Sequence, residues 1–180
     1  DYVTLRDPGL NRRLSPFDLR HVIQTFGTYE LPIGKGRKLN VENPVLNQLV
    51  GGWQVSGIYQ VASNLPFSAR LGRVDLNNDG NRDSDRAPGT VRNAYRRGYF
   101  ASLDFRTTKS FNFTERVRLQ FIAEFFNLLN RVNYVGFDQN LYLVNGVNTA
   151  GVSLTQRDGF RDPTATGDPR IGQLAVKLVF

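Results

Sequence analysis

Two neighbouring stretches constrain this chain more than anything else in it. Ser102–Phe113 and Arg116–Phe126 both alternate apolar and polar residues along their length. In the first, Leu103, Phe105, Thr107, Phe111 and Phe113 oppose Ser102, Asp104, Arg106, Thr108, Ser110 and Asn112. In the second, Val117, Leu119, Phe121, Ala123 and Phe125 oppose Arg118, Gln120, Ile122 and Glu124. Period-two alternation is the mark of strands with two different environments on their faces. These runs are about ten residues long, close to what a tilted strand needs to cross a bilayer, whereas soluble strands average about 5–6. The polar faces hold full charges: Asp104, Arg106, Arg118 and Glu124. A packed sandwich core has no place for them, but a wet barrel interior does.

Three further segments extend the pattern. Leu19–Leu31 alternates with mixed faces. Trp53–Arg70 sets Trp53, Val55, Gly57, Tyr59 and Val61 against Gln54, Ser56, Ile58, Gln60 and Ala62. At the C-terminus, from about Ile171, Leu174, Val176, Leu178 and Phe180 share one face; Gln173, Ala175, Lys177 and Val179 share the other. The expected lumen-lining residues are therefore Gln54, Ser56, Gln60, Asp104, Arg106, Arg118, Gln120 and Glu124. Lys109 breaks the rule by falling on the apolar face. It is expected near a strand end, where a long side chain reaches the headgroups.

Connection lengths give the orientation. Asn112–Glu115 reads as a tight turn; Gly72–Ala101 and Asn127–Arg170 read as long polar loops. With a periplasmic C-terminus, the tight turn is periplasmic and both long loops are extracellular. Pro32–Gly52 then falls on the periplasmic side and is long for a turn, with one short helical turn expected at Asn43–Leu49, started by Pro44. Glu124–Val132 reads either as a short amphipathic helix or as a strand end passing into a loop. The fold class is all-β, an antiparallel transmembrane barrel segment of about five long strands. Five strands cannot close a barrel by themselves, so residues 1–180 are expected to be the C-terminal part of a larger one.

Composition agrees and excludes several chemistries. The 180 residues contain no Cys, so there is no disulfide framework and no thiol nucleophile. There is no Met either, which suggests a processed chain or a piece of a longer one. No stretch is apolar enough for a membrane helix, but barrel strands need none. The 13 Phe and 7 Tyr suit interfacial girdles. The net charge of +7 is scattered, without a basic helix or nucleic-acid motif, so lipopolysaccharide or an acidic ligand explains it better than nucleic acid.

Candidate sites are few. Asp75-Leu76-Asn77-Asn78-Asp79-Gly80 opens like a calcium loop, and Asp83 and Asp85 add carboxylates. Arg86 stands where the bidentate acid belongs, and an acid-rich Asx-turn loop balanced by Arg82, Arg86 and Arg92 is the alternative. Calcium is the one cofactor considered. His21, the single histidine, has no partner set for a metal or triad. Asp104 and Glu124 resemble a glycosidase pair only superficially, because Arg106 and Arg118 make ion pairs the simpler expectation. Gly34-Lys35-Gly36 is too short for a phosphate loop. No catalytic residues are expected, and the chain is read as a non-enzyme.

In combination, GGWQVSGIYQ, DLNNDGNRDSDRAPGTVRN, LDFRTTKSF, RLQFIAEFFNLLNRVN and GDPRIGQLAVKLVF resemble the C-terminal barrel of TonB-dependent outer-membrane receptors, nearest to the Oar-like group. The resemblance runs from about Leu19 to Phe180. It implies a 22-stranded barrel blocked by an N-terminal plug and opened by an energy-transducing complex to import a scarce ligand. It further implies that Leu174, Val176, Leu178 and Phe180 form the barrel-closing signature read by the assembly machinery. The TonB complex would be met only through an N-terminal part absent from this chain. Location in the bacterial outer membrane follows. Two rival readings are a structural outer-membrane or surface-layer protein without transport, and a soluble β-sandwich with a calcium-stiffened loop.

Overall fold

The computed structural model describes residues 12–72, 74–75, 80–81, 85–114, 116–148 and 151–180. In chain order the elements are β1 (Val22–Glu30), α1 (Pro44–Val50), β2 (Trp53–Ser63), β3 (Pro66–Phe67), β4 (Tyr95–Arg96), β5 (Tyr99–Asn112), β6 (Arg118–Phe126), β7 (Tyr134–Phe137), β8 (Tyr142–Asn148), β9 (Gly151–Gln156), β10 (Pro163–Thr166) and β11 (Ile171–Val179). The chain divides into two compact units, residues 22–61, 101–132 and 168–180 forming one and residues 1–21, 62–100 and 133–167 the other.

The first unit is one five-stranded sheet in the order β1-β2-β5-β6-β11, so each long strand pairs with its successor among the long strands. The five expected strands are all present. Their bounds differ slightly: β2 stops at Ser63, short of the expected Arg70, because Pro66 cannot donate to a ladder and the chain turns into β3. Register settles the faces. Phe105, Thr107, Lys109 and Phe111 stand opposite Phe125, Ala123, Phe121 and Leu119 of β6. On the other side of β6, Phe125, Ala123, Phe121 and Leu119 meet Gly172, Leu174, Val176 and Leu178 of β11. One face, apolar apart from Thr107 and Lys109, therefore runs across three strands. It stays open: Phe121 is 45%, Leu174 83%, Val176 63% and Leu178 57% exposed. An uncovered apolar face of that extent is what hydrocarbon contact requires of a barrel wall.

Local chemistry builds the turns. Asn43 caps α1, its side chain accepting from the N–H groups of Val45 (3.0 Å) and Leu46 (3.1 Å), with Pro44 at the first helical position. Gly52 opens β2 at φ +67°, and a Cβ there would lie 2.6 Å from the Ser110 carbonyl oxygen of β5, so only glycine fits. Between β5 and β6, Thr114 Oγ1 accepts from Val117 N–H (3.0 Å), and Phe113 N–H reaches Val117 O (3.0 Å). This turn is slightly longer than Asn112–Glu115, because β6 begins only at Arg118.

The second unit corrects the reading of the long connections as plain loops. β3 pairs with β4, β7 with β10 and β8 with β9, all antiparallel. Ala69, Ala87 and Leu141 are buried together, with Tyr95, Tyr142 and Phe160 packed against them. Phe67, also buried, sits 5.8 Å from the Tyr95 ring and 6.4 Å from those of Phe137 and Phe160. Small residues at the centre let three backbone segments approach. Arg70 N–H bonds Gln139 O (2.7 Å), Leu141 N–H bonds Arg70 O (2.9 Å), Ala87 N–H bonds Ala69 O (3.0 Å) and Leu71 N–H bonds Asp85 O (3.0 Å).

Candidate functional site

The polar face of the sheet carries the expected lumen residues, and the strands bring most of them together. Arg106, Glu124 and Gln173 stand directly opposite one another on β5, β6 and β11. Arg106 Nη1 lies 3.3 Å from Glu124 Oε1, and Gln173 Nε2 donates to Glu124 Oε2. Glu124 is thus satisfied from both neighbouring strands. Asp104 is engaged elsewhere: its Oδ1 accepts from Ser102 Oγ–H (3.0 Å) and from the Asn127 N–H (2.9 Å). The two carboxylates are held in separate structural contacts, with the cation beside Glu124 that the sequence placed there. Ser56 Oγ meets Thr28 Oγ1 at 3.1 Å across β1 and β2.

Two of the grooves on this unit take in residues of the polar face. One, about 240 Å³, is lined by Gln54, Arg118 and Gln120 together with Ser110, Asn112 and Glu30. The other, about 250 Å³, takes in Ser56, Asp104, Arg106 and Glu124 beside Phe125 and Phe126. Gln60 shares the face of Ser56 by strand parity but borders neither groove. Alternating side chains of two kinds along paired strands give a surface that can hydrate and pass polar solutes on one side while meeting lipid on the other.

Lys109 is reached differently from expectation. Its ammonium donates to the Gly51 carbonyl at the C-terminal end of α1, and lies 5.7 Å from the Trp53 ring centre and 4.8 Å from that of Phe111. A helix C-terminus and two aromatic faces together hold the charge that the headgroups were expected to take. Replacing it, Lys109→Met, is expected to leave the sheet folded but to raise amide exchange at Gly51–Trp53 about tenfold, as the helix end loses its charged donor. Unchanged exchange would show that the contact does not hold α1 in place.

Sequence reasoning missed Asn127. It is buried, sits at φ +49°, and its side chain makes three bonds: Nδ2 to Arg131 O (2.9 Å) and to Asp168 O (3.1 Å), and Oδ1 from Arg131 N–H (3.0 Å). It ends β6, so Glu124–Val132 is a strand passing into a turn rather than a helix. The available signal was the residue type, because Asn tolerates positive φ and bonds neighbouring backbone.

Of the candidate calcium ligands, Asn77, Asp79 and Asp83 lie outside the described residues. Asp75 Oδ2 accepts from Gly80 N–H (2.9 Å), and Asp85 is buried. Among the described residues no group of three His, Cys, Asp or Glu could hold a metal ion. His21 is exposed, and its backbone pairs with Ser63. Leu174, Val176 and Leu178 line the apolar face at the open edge of the sheet, and Phe180, just beyond β11, is 93% exposed.

A family model described as an outer membrane beta barrel domain matches residues 2–91 and 88–173. No curated protein matches the chain, and no solved structure matches it. The model match spans nearly all of the chain, and the sheet has the one apolar and one charged face that such a wall needs. The chain therefore belongs to the outer membrane β-barrel domain family and lies in the outer membrane of a bacterium.

Proposed function

We propose that this chain is the C-terminal wall of a TonB-dependent receptor, which binds a scarce ligand outside the cell and passes it inward without bond chemistry. The observation that carries the reading is the division of labour between connections. The connection between β5 and β6 is a tight turn and that between β1 and β2, though long for a turn, carries only the helix α1, while those leaving β2 and β6 build a folded unit with its own core. A purely structural wall has no use for a second folded unit built from its connections, whereas a receptor needs a ligand surface. The polar face would line the path. Leu174, Val176, Leu178 and Phe180 would close the barrel and be read by the assembly machinery. The rest of the barrel, the plug and the TonB-contacting segment would come from the remainder of the full-length protein.

The test needs no knowledge of the ligand. The full-length protein, purified in detergent from outer membranes, is expected to bind the purified periplasmic domain of TonB in calorimetry. Absence of binding by a protein that shows heat-modifiable gel migration sinks the receptor reading and leaves a structural outer-membrane protein.

A further inference from the structure

We propose that α1 is a membrane-surface anchor, whose exposed apolar side enters the phospholipid leaflet at the end of the wall that carries the β5–β6 turn. Val45, Leu46, Leu49 and Val50 fall on one side of the helix, and Asn47 and Gln48 occupy the other. Val45 is 70%, Leu46 51% and Leu49 61% exposed, so the aliphatic side of this seven-residue helix is left largely uncovered. An apolar side backed by a polar one is the pattern of helices that lie in the plane of a membrane surface.

What covers the apolar side follows from how the helix is mounted. The Trp53 indole N–H donates to Leu49 O (3.1 Å), and the Lys109 ammonium donates to Gly51 O. Trp53 and Lys109 belong to the hydrocarbon side of the sheet, where they line a groove of about 440 Å³ together with Thr107, Phe121, Leu174 and Val176. Both fastenings of the last helical turn therefore come from the lipid side of the wall and not from the lumen. They also come from β2 and β5, which are interior strands of the sheet. Further strands of a closed barrel add at β1 and β11, the two open edges, and leave this position free. Lipid is the neighbour that remains.

The side chains at this level agree. Trp and Lys are the residue types that sit where hydrocarbon meets headgroups, the ring in the apolar layer and the charge at its border. Asn47 Oδ1 accepts from Lys35 N–H (2.7 Å), which ties the following turn to the helix, and Lys35 and Lys38 on that turn are exposed cations suited to lipid phosphates. Short connections mark the periplasmic end of such barrels, where the leaflet is phospholipid and not lipopolysaccharide.

The anchor rests on the lipid-facing wall and is independent of the receptor reading. For the test, p-benzoylphenylalanine, a photoreactive residue, replaces Leu46, Leu49 or Gln48 singly in the full-length protein in outer membranes. Heat-modifiable migration checks the wall before irradiation, and mass spectrometry identifies the adducts. Positions 46 and 49 are expected to give phospholipid adducts at least about fivefold above position 48. Adducts to protein at positions 46 and 49, adducts to lipid A, or equal yields at all three positions overturn the proposal. A second measurement carries no bulky probe. In nanodiscs of phosphatidylethanolamine and phosphatidylglycerol, Leu46→Asn combined with Leu49→Asn is expected to speed amide exchange across residues 45–50 about tenfold and to leave β5 and β6 unchanged. Exchange equal to wild type would mean that the helix is held by its own caps and does not enter the leaflet. Binding to TonB is read separately, so the anchor and the receptor assignment stand or fall apart.

Discussion

Phe121→Arg is expected to abolish assembly of the barrel, while Gln120→Arg, one residue away, leaves it intact. Phe121 lies at the centre of β6, between Lys109 on β5 and Val176 on β11, with its ring 5.7 Å from Phe111 in an edge-to-face contact. On the lipid side, an arginine near the midplane costs about 2–4 kcal/mol. The ring contact is lost in addition, and the new charge faces Lys109. Gln120 stands on the opposite face between Ser110 and Lys177, where an added charge meets water. Heat-modifiable gel migration of the full-length protein in outer-membrane fractions separates the two. Equal folded fractions for both variants would show that the faces are assigned wrongly and that Phe121 does not touch hydrocarbon.

The second large effect is expected at Asn127. Asn127→Ala removes three buried side-chain hydrogen bonds and puts an alanine at φ +49°, a loss of about 3 kcal/mol. Asn127→Gly keeps the backbone relaxed and loses only the bonds, so it should fall between the alanine variant and wild type. Urea unfolding of protein refolded into lipid vesicles measures both. Midpoints that agree with wild type to within about 0.5 kcal/mol would mean that the residue does not tie β6 to the start of β11.

Much of the wall was legible in the sequence because its physics is periodic. In β5, β6 and β11 each residue stands on the face that alternation assigned to it, since one apolar and one wet environment leave a strand no freedom of register. The short helical turn begun by Pro44 was legible too, because a local signal acts on local backbone, whereas the cap by Asn43 was not read. The second unit was not. β3 and β4 are two residues each, β7 and β10 four, and none has length enough to show a period. They exist because Ala69, Ala87 and Leu141 let distant segments meet, and such a core has no sequence signature. Lys109 was recognised as anomalous, but its acceptor belongs to α1, far away along the chain.

The meander also sets an order of events. β5 and β6 are joined by a short turn and can zip together early, whereas β11 must wait for residues 127–170 to close a far larger loop before its ladder forms. Of the five strands, β11 is thus expected to dock last, gated by folding of the excursion that precedes it. Mutations in that excursion should therefore slow maturation of the wall even where they leave the finished protein as stable as before.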